Sequence, residues 1–262
     1  MRRRMGAEQS PVSYGSVGMT SSPDILSFPP RDFVSRRAQW KIGSGATRFD
    51  VSSEALFRWG MHRGAGVHID DAGEGDTSGY VGVFRDVDGV WRFGADAPSV
   101  FLVPEGESIV VPGMRVLASG LWRWPSVTEH FRIIYVIREP RRVGFAWGSI
   151  SERPVIGEEY FGLEWRDDDS VWSVVTSVVS LSDARLKFLR FVKALFFAPR
   201  HLLQLSRYVK ALTPVRSGEN VGRQRAVRFT RWTTRSSRTV SEPETVEAEM
   251  VDVVSDADER FV

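Results

Sequence analysis

The carboxyl group of Glu159 is the side chain in this sequence that is best placed to do chemistry. It lies in an alternating run in which Phe161 and Leu163 occupy the same phase, so a strand would turn all three toward one face. A carboxylate among large apolar side chains has a raised pKa, and it can anchor a ligand or act as a general acid. The alternative is a structural ion pair with Arg138 or Arg142, and such pairs are far more common than catalytic carboxylates.

Aromatic side chains on the neighbouring runs are predicted to share the face of Glu159. Because alternate residues of a strand point to the same face, Tyr135 is predicted to share a face with Phe131 and Ile133. The same alternation places the other aromatic residues on one face of their own strands. Together they would line one interior that faces a long C-terminal helix, and an apolar ligand would bind there. The predicted lining is Tyr135, Phe145, Trp147, Phe161 and Trp172, with Glu159 as a polar member.

His62 and Arg63 form a second candidate, at the end of a predicted helix. The pair could place a proton-transfer group and an anion-binding guanidinium at the mouth of a pocket. The alternative is a helix C-terminus that favours positive charge, which is worth only about 0.3 to 1 kcal/mol.

Metal and cofactor sites find no support in the sequence. There are no cysteines, and the four histidines show neither a His-x-His nor a His-Glu-x-x-His spacing. The glycines at 43, 45, 64 and 66 do not form a phosphate-binding loop. We therefore predict no metal and no cofactor, and the lack of cysteine fits a cytoplasmic protein.

Turn and alternation signals predict an α+β domain. Asp50 is the expected N-cap of a short helix that extends to His62. From residue 66 to 180 the pattern is strand and turn, with Asp88-Gly89 as a hairpin turn. The longest runs predict strands over 108–118, 131–138, 143–150, 158–166 and 171–180. A curved antiparallel sheet with a short N-terminal helix and a long C-terminal helix is the expected fold.

The long C-terminal helix is predicted to open at Ser182-Asp183 and to kink at Pro199. Its expected apolar face consists of Leu186, Leu189, Val192, Phe196, Leu203 and Leu212. Basic residues between 185 and 210 would occupy the opposite face.

Composition divides the chain into three parts. Residues 1–37 are rich in Ser, Pro, Gly and Arg and are expected to be an irregular segment. Residues 38–213 form the predicted domain, in which the stretch 76–107 has no assigned role. Residues 214–262 carry an arginine-rich block followed by an acidic block, which is typical of a disordered tail.

Several spaced blocks resemble one known family. They are Tyr14-Gly-Ser-Val-Gly18-Met-Thr20, Trp59-Gly-Met-His62-Arg63, Val111-Pro112-Gly113, Glu139-Pro140-Arg-Arg-Val-Gly144-Phe145 and Gly157-Glu158-Glu159. In this order they are similar to the uncharacterised bacterial family called domain of unknown function 1990, over roughly residues 14–212. The stretch 76–107 is longer than in that family, and Trp147 replaces its usual tyrosine. The resemblance implies no reaction. It implies a helix-grip fold like that of START-like proteins, which hold an apolar ligand between sheet and helix.

These features predict a protein that binds an apolar or amphipathic small molecule between the sheet and the C-terminal helix; enzyme activity is not indicated. The alternative is a peripheral membrane or protein-interaction module that uses the basic helix 185–210 and the charged tail, with an anionic membrane surface as partner. Nucleic acid is disfavoured because the acidic block would compete for the arginine-rich one.

Overall fold

One large open sheet organises the protein. The computed structural model describes residues 12–73, 82–93, 109–120, 128–150, 156–180, 187–214 and 228–233. Within these ranges the strands are β1 (Val34–Ser44), β2 (His68–Gly73), β3 (Val83–Arg85), β4 (Trp91–Phe93), β5 (Arg115–Ser119), β6 (Glu129–Glu139), β7 (Arg142–Ser149), β8 (Ile156–Trp165), β9 (Ser170–Ser180) and β10 (Arg228–Thr233). The helices are α1 (Ala46–Phe57), α2 (Gly60–Gly64) and α3 (Lys187–Lys210), and a 3₁₀ turn covers Met19–Ser21.

The strands follow the order β10-β1-β9-β8-β7-β6-β3-β4, and β5 pairs with both β6 and β2. All described pairs are antiparallel except β3 and β6, which run parallel. The predicted α+β class, with a sheet and few helices, is therefore confirmed.

The centre of the sheet agrees with the strand predictions. The alternating runs became β6 to β9, and Asp88-Gly89 does turn the β3–β4 hairpin, with Gly89 at φ 73°. The predicted strand 108–118 is shorter than expected: β5 begins at Arg115, because Gly113 has φ 80° and the chain turns there.

The predicted single helix from Asp50 to His62 is wrong in its start and its continuity. α1 already begins at Ala46, after Gly45, without a side-chain cap. Trp59 then adopts a left-handed φ of 63°, which separates α1 from α2. Such a conformation is strained for a bulky residue. The complete burial of its ring against Phe145, 5.4 Å between centroids, offsets that strain.

α3 lies against β1, β9 and α2. The helix continues through Pro199 without interruption. The predicted opening at Ser182-Asp183 falls outside the described residues. In the described C-terminal half, the buried face is His201, Leu205, Tyr208 and Val209. Leu203 was predicted on that face but is 42% exposed, because the helical spacing of 201, 205 and 208 turns it outward.

The segment predicted as a disordered tail contains a strand. β10 pairs antiparallel with β1, from Val34 opposite Thr233 to Gln39 opposite Arg228. β1 itself begins at Val34, four residues before the predicted domain start at 38. Within 228–233, Phe229, Thr230, Trp232 and Thr233 are residue types common in strands, but the arginines inside and around the segment made it resemble a charged block.

The sheet is covered on both faces. The inner face, as we call the side of α1, α2 and α3, packs an apolar cluster that includes Trp59, Phe145, Trp147 and Phe161. On the opposite, outer face, Tyr14, Met19 and Ile25 of the N-terminal segment pack on the sheet; we call residues 12–26 the strap. Among the described residues, no helix is long and apolar enough to cross a membrane.

Candidate functional site

Three of the aromatic residues predicted to line the interior do lie together on the inner face. Phe145, Trp147 and Phe161 are fully buried, and the ring of Phe161 lies 5.6 Å from that of Phe145 and 5.2 Å from that of Trp147. Tyr208 of α3 contacts Phe161, with 5.0 Å between centroids. The helix therefore packs directly on these rings.

Tyr135 and Trp172 do not share that face, and the parity prediction is wrong for both. In β6 the register shifts between Ile133 and Tyr135, and this irregularity turns Tyr135 to the outer face. In β9 the pairing of Phe161 with Val175 gives the inner face to the odd-numbered residues. Trp172 pairs with Glu164 and lies under the guanidinium of Arg166, 4.3 Å from its ring centroid.

Glu159 does point to the inner face, but its predicted arginine partners are wrong. Its Oε1 lies 3.2 Å from Nε2 of His201, and its Oε2 accepts a hydrogen bond of 3.2 Å from the Trp147 indole. Arg138 instead lies over the ring of Phe57, and Arg142 lies beside Glu139. Glu159 therefore belongs to a buried polar chain that joins the sheet to α3.

The buried polar chain continues from His201 to Arg36 on β1, whose Nη1 lies 2.8 Å from Nδ1 of His201. A guanidinium can only donate, so Nδ1 must accept and the proton of the neutral imidazole sits on Nε2. That proton faces the carboxylate of Glu159 and the hydroxyl of Ser177, 3.1 Å away. The arrangement fixes the imidazole tautomer and places Arg36 and Glu159 at the two ends of the chain.

The protonation states of this chain follow from its surroundings. Burial raises the pKa of Glu159, but hydrogen bonds from His201, Ser177 and Trp147 outweigh it and leave the pKa lowered. Burial lowers the pKa of His201, and the neighbouring Glu159 only partly opposes this. Glu159 is thus an ionised carboxylate next to a neutral imidazole at neutral pH.

Glu129 is a second carboxyl group on the inner face, and the sequence analysis did not single it out. It is 4% exposed, and burial together with the charge of Glu159 raises its pKa to about 8. Among the described residues, its Oε1 has no hydrogen-bond partner. Two carboxyl groups in opposite protonation states can offer a ligand both a donor and an acceptor.

His62 was predicted at a pocket mouth, and this prediction is wrong. The side chain is completely buried, with ring centroids 4.4 Å from both Trp147 and Phe161 and 5.2 Å from Tyr208. Burial lowers its pKa to about 3. The left-handed turn at Trp59 directs α2 inward and buries His62, while Arg63 remains on the surface.

A third buried carboxylate, Glu158, lies on the outer face and holds the strap. It accepts hydrogen bonds from the Tyr14 hydroxyl and the Gly18 amide, both at 2.8 Å, and from the amide and hydroxyl of Thr20. Burial raises its pKa, and these four donors oppose that shift. The segment from Tyr14 to Thr20 therefore binds Glu158, the residue next to Glu159.

Sequence reasoning could not have found the partners of these carboxylates. His201 and Arg36 are 42 and 123 positions away from Glu159 in the chain, and only strand order brings them together. A weak signal existed for His201, which shares helical spacing with Leu205 and Tyr208. Within the described residues, no group of three or more His, Cys, Asp or Glu could hold a metal ion.

The fold is thus an α+β domain whose open sheet carries buried carboxylates on both faces. The chain belongs to the family described as domain of unknown function (DUF1990), which matches residues 13–100 and 88–199. No curated protein matches the sequence.

Two solved structures resemble the chain weakly. One is the hypothetical protein jhp0584 from Helicobacter pylori, 12% identical, with a TM-score of 0.42; the match covers 77% of this chain and 98% of that one. The other is the di-domain ARO/CYC BexL from the BE-7585A biosynthetic pathway, 10% identical, with a TM-score of 0.37. That match covers 73% of this chain and about half, 53%, of BexL.

Proposed function

We propose that this domain binds an amphipathic small molecule between the inner face of the sheet and α3, in a helix-grip arrangement. The polar group of the ligand would contact Glu129 and Glu159, and its apolar part would contact Trp147. His201 would contribute from the helix. The fully buried Phe145 and Phe161 would form the floor of this site, and Tyr135, Trp172 and the His62-Arg63 pair have no part in it.

The carboxyl oxygen of Glu129 that has no hydrogen-bond partner among the described residues carries this proposal. A buried polar atom without a hydrogen bond costs about 1 to 3 kcal/mol, and most buried polar atoms in native proteins are hydrogen-bonded. A ligand that donates to Glu129 or accepts from its protonated form would remove the cost. Glu159 beside it is 15% exposed, so part of its side chain reaches solvent at this end of the inner face.

An aromatic wall next to the two carboxyl groups suits the apolar part of such a ligand. Phe131 and Trp147 are stacked with centroids 4.1 Å apart and planes at 11°. The middle of the inner face is filled by Trp59, His62 and Phe145, which leave no room between them. The ligand would therefore occupy the end of the sheet near Glu129 rather than the whole interior.

Native mass spectrometry of the gently purified full chain tests the proposal. We expect wild type to carry an additional mass that organic extraction releases. Glu159→Gln should lose most of it, since a lost hydrogen bond to a charged group is worth about 1.5 to 3 kcal/mol. Glu129→Leu, which removes the neutral carboxyl group, should also lower the bound fraction, because a hydrogen bond between neutral groups is worth about 0.5 to 1.5 kcal/mol. Glu54→Gln, on the exposed surface of α1, is the matched control and should retain it. Equal occupancy in all four proteins would contradict a site at these carboxyl groups.

The membrane alternative receives no such support. The described basic residues of α3 include Lys210, whose ammonium lies 5.0 Å from the ring centroid of Trp40 in the same domain. This contact is typical of a charged helix face that packs on its own fold. The ligand-binding function is therefore the one we retain.

A further inference from the structure

A cavity lies on the outer face of the sheet, the side away from α3. Its volume is about 120 Å³, and it opens between the strap and strands β1, β6, β7, β8 and β9. An engineered cavity of about 150 Å³ admits benzene, so this space suits a ligand of roughly that size or a smaller one. Its lining includes Ile25, Leu26, Arg37, Ile137, Arg142 and Glu164.

Among the residues that line this cavity, two arginines, Arg37 and Arg142, face one carboxylate, Glu164. Glu164 accepts from Arg37 and also from Arg166, at 2.9 Å. Glu139, next to Arg142, likewise serves two arginines: its Oε2 lies 3.1 Å from Arg142, and its Oε1 lies 2.7 Å from Arg85. Each carboxylate is thus shared by two guanidinium groups. Two further acids lie close by without lining the cavity: the oxygens of Glu158 are already bonded to the strap, and Asp24 of the strap is exposed.

Arg37 and Arg142 can therefore take an additional anion. Both are partly exposed, with 32% and 43% of their side-chain surface accessible, so an anion in the cavity can reach them. Guanidinium groups pair well with planar carboxylates because two parallel N–H donors match two oxygens.

The remaining walls are mixed: Thr20, Ser21, Ser22 and Thr176 contribute polar groups, and an apolar part favours an organic ligand over an inorganic ion. Ile25 and Leu26 of the strap face Ile137 of β6 across the cavity. The rings of Tyr135 and Tyr160 form another wall, with centroids 6.0 Å apart. Their hydroxyl groups are already engaged, by Thr20 at 2.8 Å and by the backbone oxygen of Val143 at 3.3 Å.

We propose that this outer cavity is a binding site for a small organic monocarboxylate. The carboxylate contacts Arg37 and Arg142, and the apolar body lies against Ile25, Leu26 and Ile137 under the strap. The site is independent of the proposed ligand on the inner face, because the two lie on opposite sides of the sheet.

Three probes test the chemistry on the wild-type full chain by calorimetry and by ligand-observed NMR. Benzoate has the charge and the ring, benzamide has the ring alone, and inorganic phosphate has the charge alone. We expect benzoate to bind at least tenfold more tightly than either of the others. Absence of benzoate binding at 10 mM overturns the proposal, as does equal binding of benzamide or of phosphate.

Variants locate the binding. Arg142→Gln should lower benzoate affinity at least tenfold, and Arg142→Lys, which retains the charge without the planar fork, should lower it severalfold. Arg58→Gln, directly after α1, is the matched control and should leave it unchanged. Glu159→Gln separates this site from the inner one, because benzoate binding should survive that substitution. Loss of benzoate binding in Glu159→Gln, or its retention in both Arg142 variants, overturns the outer site alone.

Discussion

At the scale of single residues, His62 is the most unusual side chain in the protein. Five aromatic rings surround it, and among the described residues neither ring nitrogen has a hydrogen-bond partner. A buried N–H without a partner costs free energy, so the imidazole does not contribute stability through its polarity. Its value to the fold is the shape of an aromatic ring.

We predict that His62→Phe retains or raises stability at pH 8 and raises it further at pH 5. The pKa of His62 falls to about 3 in the fold, while the unfolded chain titrates near 6.5. Below pH 6.5 the unfolded state therefore binds a proton at His62 that the folded state does not bind. As a result, wild type loses stability as the pH falls toward 3. At pH 5 this loss is about 2 kcal/mol.

Urea unfolding of both proteins at pH 5 and pH 8 measures this difference. His68→Phe, at an exposed histidine, serves as the control for the substitution itself. If the advantage of His62→Phe is the same at both pH values, the imidazole has a polar partner in the fold.

Gly148 illustrates a second residue-scale constraint, close approach rather than backbone conformation. A Cβ at Gly148 would lie 2.1 Å from the Tyr14 hydroxyl oxygen, whereas one at Gly15 meets nothing within 4 Å. We expect Gly148→Ala to cost about 1 to 3 kcal/mol by displacing Tyr14 from Glu158. Gly15→Ala should cost less than 1 kcal/mol. Thermal denaturation of both variants decides this, and similar midpoints would mean that the strap shifts without loss.

At the scale of elements, β10 alters what the C-terminal part of the chain is expected to do. Its six residues complete the hydrogen bonds along the outer half of β1, the strand that supplies Arg36 to His201. β10 therefore gives part of the chain after residue 214 a place in the sheet. Without β10, the edge of β1 from Val34 to Gln39 would lose its pairing partner and could pair with another chain.

We predict that a chain ending at residue 214 melts several degrees below wild type and self-associates. A chain ending at residue 240 retains β10 and should behave like the full protein. Calorimetry and size-exclusion chromatography of the two truncations test this directly. Equal melting temperatures for both would show that β1 does not need its partner.

The elements also show where sequence information ends. β6 to β9 were predictable because alternating apolar residues and turns are local signals. The shift in β6 between Ile133 and Tyr135 has no local signature, and one such shift moved Tyr135 to the other face. For Trp172 the missing information was the register with β8, a long-range property. Phe145, Trp147, Phe161 and Glu159 were placed correctly because their strands are regular and directly paired.

At the scale of the whole molecule, the sheet carries two neighbouring buried carboxylates that serve opposite faces. Glu158 binds the strap on the outer face, and Glu159 binds His201 of α3 on the inner face. Adjacent strand residues point to opposite sides, so this single dipeptide attaches both coverings of the sheet. The two attachments share no side chain among those described.

We therefore predict that the two faces can be loosened separately. In Glu158→Gln, an amide N–H₂ replaces one of the oxygens that accept from Tyr14, Gly18 and Thr20. This N–H₂ group cannot accept their hydrogen bonds, so N–H and O–H donors of the strap lose their acceptor. Amide exchange should then accelerate in the strap, residues 12–26, with a loss of about 1 to 3 kcal/mol, while α3 stays protected. In Glu159→Gln, exchange should accelerate around His201 while the strap stays protected. Hydrogen–deuterium exchange with mass spectrometry on both variants resolves the two regions. If either substitution exposes both coverings to the same extent, the sheet transmits the disturbance and the two faces act as one cooperative unit.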